Sequence, residues 1–411
     1  MRIAVITHAF PPSRHANGKR PYYVVKGLLD AGWEVDVYTS NLACDSGFAE
    51  TLTDDCCRIF RIKDPVIAWL ERVKPMRLLY RVSVAITNGL LWPDFYAPWV
   101  KKVMKCLRKS RDYDRVLAFV FPPSMYLTAD SGGMLDKRWI YDLQESVTPH
   151  YKVNPRRSPL QKWRHPRFEK LEKRALHMAG DVVFTADTNR QAYIAEEISP
   201  LAQSWHIPYF YDSDVFSQDD EIEASKRFEI RYFGTFDWRG SRSPEVFLKA
   251  LALFLQKNPN ARRDTRFVFY GSWFQGHDAL VDQLSLMDIT EIRPAVSYEE
   301  YLQLVRSSPI LLLVVSSEHN LFMPSKIVDY FGAQRPILGF IPRESEMRIV
   351  IESAGMGGQA VDELDVEGGA KAIDSLWRRY KDDRLGRVQA SSEFWSSDVQ
   401  ISRYLKIINK K

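Results

Sequence analysis

The residues best suited to hold a charged ligand lie in residues 321–342, LFMPSKIVDYFGAQRPILGFIP. Pro324-Ser325 opens a helix, and the unpaired N–H groups of a helix start, together with its dipole, attract phosphate. Lys326 adds a positive charge in that first turn, and Asp329, three residues on, is its neighbour on the same side. An ammonium beside a diphosphate, with a carboxylate one turn along for ribose hydroxyls, would form a nucleotide-sugar cradle. The same spacing also describes an ordinary i,i+3 ion pair on an amphipathic helix. Two DxD triplets, Asp112-Tyr113-Asp114 and Asp212-Ser213-Asp214, occur at the frequency chance allows and give no reason to expect a metal. There is no GxGxxG, P-loop or GxSxG element, which disfavours dehydrogenase, NTPase and serine hydrolase chemistry.

Such residues need elements to position them. Short apolar runs alternate with amphipathic stretches, the rhythm of α/β units with parallel sheets. In the first half, strands are predicted at 3–7, 34–39, 115–120, 139–143 and 182–185, with helices at 22–31 and 167–178. The second half restarts the pattern. A strand at 229–233 ends at Gly234, and one at 266–270 ends at Gly271. A six-residue apolar strand is predicted at 310–315, and another strand at 336–341. Ser243 caps a helix with Pro244 in its first turn, and 398–408 reads as a terminal helix. The division is therefore a first domain over 1–206, a second over 207–390, and a C-terminal helix within 391–411 that returns toward the first. In open α/β sheets, ligands sit at the carboxyl ends of the strands, and with two such domains the cleft between them is the expected site.

The chain has 411 residues, too many for one core of ordinary size, so two domains of roughly 200 residues are expected. Its 45% apolar content fits an ordered globular protein. Cys44, Cys56, Cys57 and Cys106 form no CxxC or Cys/His cluster, which suggests reduced thiols and a cytoplasmic setting. No apolar run is long enough to span a bilayer. Between Arg58 and Arg111, thirteen Lys and Arg stand against the three acids Asp64, Glu71 and Asp94, interleaved with Trp69, Trp92 and Trp99. An anionic membrane surface would attract such a stretch, although a solvated helix face over core tryptophans has the same composition. No nucleic-acid motif accompanies the charge.

The segment PSKIVDYFGAQRPIL resembles the P-S-K-[LIV]-x-E-Y-x-A-x-x-[RK]-P-[IV]-L signature of glycosyltransferase family four. The resemblance implies that Ser325, Lys326 and Asp329 contact a donor nucleotide. Asp329 stands where the family has glutamate, and Leu321 where it has a second acid; Glu318 and His319 are the nearby candidates to approach the donor sugar. IRYFGTFDWRGSRSPEVFLKAL is similar to the family's donor-domain opening. There Gly234 allows close backbone approach, Thr235 replaces the usual arginine, and Arg239 or Arg242 would neutralise the diphosphate. FPPSRHANGKRPYYVVKGLL resembles the first glycine loop, placing Gly18 and Lys19 on the acceptor side. PDFYAPWV, YDRVLAFVFPPS, RWIYDLQES and FEKLEKRALHMAGDVVFTAD resemble further family segments. Where many members carry a histidine after a first-domain strand, this chain offers Asp142 and Glu145 as catalytic carboxylates, with His150 nearby.

The resemblance spans nearly the whole chain and implies the GT-B architecture, two Rossmann-like α/β domains facing across a cleft. It further implies a retaining, metal-independent glycosyltransferase with no cofactor beyond a nucleotide diphosphate-sugar. The expected partners are that donor and a glycan or lipid-linked acceptor, in surface polysaccharide or glycolipid synthesis, with peripheral association at a membrane. A nucleotide-sugar epimerase of the same fold, or a non-catalytic scaffold that has lost the site, are the rival expectations.

Overall fold

The computed structural model describes the chain apart from residues 14–15, 42–51, 53–54, 111, 131–135, 154–158, 217–226, 237–241, 320, 354–357, 386–391 and 411, and the side chains of Ala16, Arg77, Val153, His319 and Ser353. Two compact units result, Met1–Pro208 with Gln400–Lys411, and Tyr209–Val399.

The first unit begins with β1 (Arg2–Ile6), α1 (Lys19–Asp30), β2 (Glu34–Ser40) and β3 (Cys57–Ile62). Three helices follow, α2 (Pro65–Val73), α3 (Arg77–Leu90) and α4 (Ala97–Leu107). The unit continues through β4 (Arg115–Phe119), β5 (Trp139–Leu143), α5 (Thr148–Val153), α6 (Pro159–Met178), β6 (Asp181–Phe184), α7 (Asp187–Ala195) and β7 (Ser204–His206). The seven strands are ordered β3-β2-β1-β4-β5-β6-β7 and pair in parallel. Strand β1 lies between β2 and β4, with Val5 opposite Val37 on one side and Leu117 on the other. Its apolar run Ile3-Ala4-Val5-Ile6 is completely buried, as a strand covered on both faces requires. Strand order reverses between β1 and β4, which makes their carboxyl ends the switch point of this sheet.

The second unit holds α8 (Ser213–Phe216), β8 (Phe228–Phe236), α9 (Glu245–Lys257), β9 (Thr265–Trp273), α10 (Asp278–Gln283), β10 (Thr290–Arg293) and α11 (Tyr298–Arg306). It continues with β11 (Ile310–Val314), α12 (Lys326–Ala333), β12 (Ile337–Phe340), α13 (Glu346–Ser353), β13 (Gln359–Val361) and α14 (Val366–Lys381). Its six parallel strands are ordered β10-β9-β8-β11-β12-β13, with the switch point between β8 and β11. The last helix, α15 (Ser397–Ile408), starts in this unit, and its residues from Gln400 onward belong to the first. There Ile401 lies against Gly27 of α1, where an added Cβ would come within 2.3 Å of it.

Two strands run longer than the sequence suggests. The ladder between β8 and β9 continues through Gly234 opposite Gly271 to Phe236 opposite Trp273. Gly234 and Gly271 have φ of 143° and 136°, conformations that cost a side-chain-bearing residue. A Cβ on Gly271 would sit 2.0 Å from the Gly234 carbonyl oxygen. Two glycines in register therefore let the ribbon bend without breaking, where the sequence reading ended both strands. The start of α9 also differs by one residue: Pro244 occupies the cap position, while the Ser243 hydroxyl accepts the Glu245 N–H at 3.2 Å.

Candidate functional site

At the switch point of the second sheet, α12 begins beside the carboxyl end of β8. Lys326, its first residue, turns back over that strand. Its Nζ lies 3.8 Å from the centre of the Tyr232 ring and donates to the Phe233 carbonyl at 3.1 Å. A cation over an aromatic face is attracted by the ring quadrupole, but the carbonyl and ring replace only part of the water the ammonium has lost. Burial, and secondly the charge of Arg242, hold the Lys326 pKa well below its ordinary value. A Cβ on Gly234 would lie 3.6 Å from this Nζ, so the bare glycine backbone borders the ammonium directly. Gly234, Thr235 and Arg242 are exposed around it. Two cations beside uncovered backbone form a charge deficit that an anion would relieve.

The rest of α12 faces inward. Ile327, Tyr330 and Phe331 are buried as the pattern indicates. Asp329, expected to face ribose hydroxyls, is only 5% exposed, and its Oδ2 accepts the Tyr301 hydroxyl at 3.2 Å. This partner comes from α11, so the carboxylate is turned into the unit, a correction to the outward orientation expected. Tyr301 also packs edge-on against Phe233, which stacks on Tyr270, so Asp329 is tied through Tyr301 to an aromatic cluster on β8 and β9. Ser325 is exposed and makes no side-chain cap, leaving its hydroxyl outside the helix start. Glu318 is half-buried in a short 3-10 turn, Ser317–His319, after β11. The His319 side chain and all of Arg239 lie outside the described residues.

The first unit treats its candidates differently. Asp142, at the end of β5, is 0% exposed. The Arg20 guanidinium grips it, Nε to Oδ1 at 3.2 Å and Nη2 to Oδ2 at 3.0 Å, and the Tyr404 hydroxyl donates to the same Oδ2. Arg20 also donates to the carbonyls of Pro208 and Ile207, at 2.6 and 2.7 Å. Burial raises the Asp142 pKa, and the charge of Arg20 opposes that shift. A carboxylate so enclosed is an internal strut between α1, β5 and α15, which does not fit the expected catalytic base. Glu145, two residues beyond β5, is exposed. Gly18 and Lys19 precede Arg20 at the start of α1, Gly18 buried and Lys19 half-buried. The half-buried His150 sits in α5, its N–H donating to the Ser146 hydroxyl at 3.3 Å.

Several residues that the sequence reading passed over hold this end of the first sheet. His8, just beyond β1, has Nε2 3.1 Å from Asp64 Oδ2, and both side chains are buried. The other Asp64 oxygen caps α2 by accepting the Val66 and Ile67 N–H groups. Tyr96 and Trp99 stand edge-on to the imidazole. The segment PDFYAPWV acquires a structural role here: Asp94 accepts the Tyr96 and Ser124 N–H groups, while buried Trp99 donates Nε1–H to the Ile62 carbonyl. Glu172, from the L-E segment of α6, is buried and accepts the Tyr193 hydroxyl at 2.7 Å. Burial pushes its pKa up to about 7.

No protein-family model matches this chain, and no curated protein matches it in sequence. Solved structures do match it over its full length. Sucrose-phosphate synthase from Thermosynechococcus elongatus has 15% identity and a TM-score of 0.65, over 99% of this chain and 98% of that one. WaaG, a glycosyltransferase involved in lipopolysaccharide biosynthesis, has 12% identity and a TM-score of 0.64, with both chains covered completely. HepE of Anabaena, in complex with UDP and glucose, has 12% identity and a TM-score of 0.65, again over the whole of both chains. At such identities the likeness establishes architecture: the fold is GT-B, with two parallel-sheet α/β units.

Proposed function

We propose that this protein is a glycosyltransferase that moves a sugar from a nucleotide diphosphate-sugar to an acceptor hydroxyl. The carrying observation is Lys326, an ammonium held in an underhydrated position between Tyr232, the Phe233 carbonyl and uncovered Gly234, at the switch point of the second sheet. Neighbours of the same fold that hold UDP and UDP-glucose support a nucleotide-sugar donor. In this reading the bond between the anomeric carbon and the diphosphate oxygen breaks as the acceptor oxygen bonds to that carbon. Lys326, Arg242 and Arg239 carry the charge that grows on the departing diphosphate, a preorganised role that a metal fills elsewhere. Ser325, Thr235 and Gly271 complete the donor side, with Glu318 and His319 toward the sugar, and Gly18 and Lys19 serve the acceptor side. With Asp142 locked against Arg20, Glu145 is the carboxylate left to take the acceptor's proton. The family-four resemblance supports retention at the anomeric carbon and an acceptor that is a surface glycan or lipid-linked sugar.

The test is a panel of nucleotide sugars scored by thermal stability, followed by turnover of the stabilising donor with and without acceptors. Binding to the folded state raises the melting temperature. Lys326→Ala should lower turnover on the order of a hundred- to a thousandfold with the unliganded melting temperature little changed. A near-normal rate in that variant would remove Lys326 from the chemistry. Donor turnover indifferent to every acceptor would instead indicate an epimerase, and no stabilisation by any nucleotide a scaffold.

A further inference from the structure

Helix α3 is built inside out. A helix on a water-soluble surface buries its apolar stripe and exposes its polar face. In α3 the side chain buried against the unit is Ser83, at 2% exposure, and Thr87 turns its hydroxyl back onto the Ser83 and Val84 carbonyls. The outward stripe is Leu78, Leu79, Val82, Ile86 and Leu90, with Leu78 and Leu90 at 77% and 78% exposure. The spacing of three and four residues places these side chains on one face. The apolar surface continues onto α6, whose Arg164 donates to the Asn88 and Leu91 carbonyls at the end of α3, one residue from the exposed Trp163. Cations border it: Arg72, Lys74 and Arg81 are exposed, as is Arg167, whose guanidinium lies 5.9 Å from the centre of the Trp163 ring. Of the three acids in the surrounding sequence, Asp64 is buried and Asp94 half-buried beneath backbone N–H donors, leaving Glu71 exposed.

We infer that the outer face of α3, with the start of α6, is a docking surface for an anionic phospholipid bilayer. The helix would lie in the interfacial plane, its leucines in the acyl boundary and the flanking cations among the headgroup phosphates. Among the described residues no helix is long and apolar enough to cross a membrane, so this attachment is peripheral. A second copy of the chain is the poorer occupant: a twofold contact would set this cationic border against itself. The inference deepens the transferase reading, on which it rests for its use, since an enzyme seated this way would meet a lipid-linked acceptor at the membrane surface.

Co-sedimentation of the full chain with vesicles tests it, comparing pure phosphatidylcholine with an equimolar mixture of phosphatidylcholine and phosphatidylglycerol. The wild type should sediment with the anionic vesicles and stay in the supernatant with the neutral ones. Leu78→Ser/Val82→Ser/Ile86→Ser should weaken binding on the order of a hundredfold, and Arg72→Gln/Lys74→Gln/Arg81→Gln by a similar factor. Since all six side chains are solvent-exposed, both variants should retain the wild-type thermal shift with the donor. Wild-type protein that ignores anionic vesicles, binds neutral ones equally, or forms a dimer that the serine variant dissociates would overturn the docking surface. If donor stabilisation persists while vesicle binding fails, the docking inference alone falls. Vesicle binding without any nucleotide response would remove the transferase reading and leave the docking surface standing.

Discussion

The two sheets end in opposite ways at their switch points. In the first unit three polar side chains at the carboxyl edge are matched internally: His8 with Asp64, Asp142 with Arg20 and Tyr404, Asp94 with two backbone N–H groups. In the second, half-buried Lys326 stands beside another cation, above an aromatic ring and a carbonyl, with glycine and threonine backbone uncovered next to it. Ion pairs buried this way cost desolvation and return rigidity. A half-buried lysine whose charged form is underhydrated gains that form's stabilisation when an anion arrives. The contrast separates groups that hold a unit together from groups poised to bind, although both are charged residues at strand ends and look alike in sequence.

The sharpest way to break this contrast is to take one partner from the sealed side. Arg20→Ala should leave Asp142 buried without its cation and lower unfolding free energy by about 3–5 kcal/mol, read from the urea midpoint. The paired replacement Arg20→Met/Asp142→Leu should recover most of that loss, because two apolar chains need no counter-charge. If Arg20→Ala unfolds like the wild type while turnover collapses, Asp142 belongs to the chemistry and the sealed side is misassigned.

A smaller effect comes from Glu172. Burial raises its pKa from 4.5 to about 7, with the hydrogen bond from Tyr193 opposing the shift. The folded chain therefore keeps this proton between those two values while the unfolded chain releases it. The sign follows: stability associated with this group is fully present below pH 4.5 and is lost as pH rises to about 7, a change of about 3 kcal/mol. Glu172→Gln should flatten the denaturation midpoint across that window and be the more stable protein at pH 8. A wild-type midpoint that rises with pH there would mean that Glu172 is ionised in the fold.

Much of the architecture was legible because it rests on local patterns. Continuous apolar runs such as residues 310–315, and the helix start at Pro324-Ser325, need only neighbours in sequence to be read. What escaped depends on distance along the chain. Asp142 reads as an available carboxylate until Arg20 and Tyr404, 122 and 262 residues away, close on it. His8 follows the first predicted strand with nothing nearby in sequence to give it a role, until Asp64 meets it from 56 residues on. The i,i+3 relation of Lys326 and Asp329 is correct as spacing but silent on direction: the lysine folds back to β8 and the aspartate toward Tyr301. Even the α3 stripe is visible as periodicity, while the side it faces is decided by whatever lies behind it.

The finest test follows the proton on Lys326. With its pKa held well below the ordinary lysine value, the unliganded protein carries this side chain neutral once pH exceeds the depressed value. A diphosphate arriving beside Nζ favours the charged form, so binding above that pH must take up a proton. Affinity for UDP should then fall as pH rises through the depressed value, by at most about tenfold per pH unit. Calorimetry in two buffers of different ionisation enthalpy measures the uptake directly. Lys326→Met should abolish it, and Arg242→Gln, by removing a neighbouring positive charge, should move its onset to higher pH. Binding without proton exchange at any pH from neutral to alkaline would mean that Lys326 has the same protonation in the empty and the occupied site, and that its pKa is not depressed enough to couple binding to a proton.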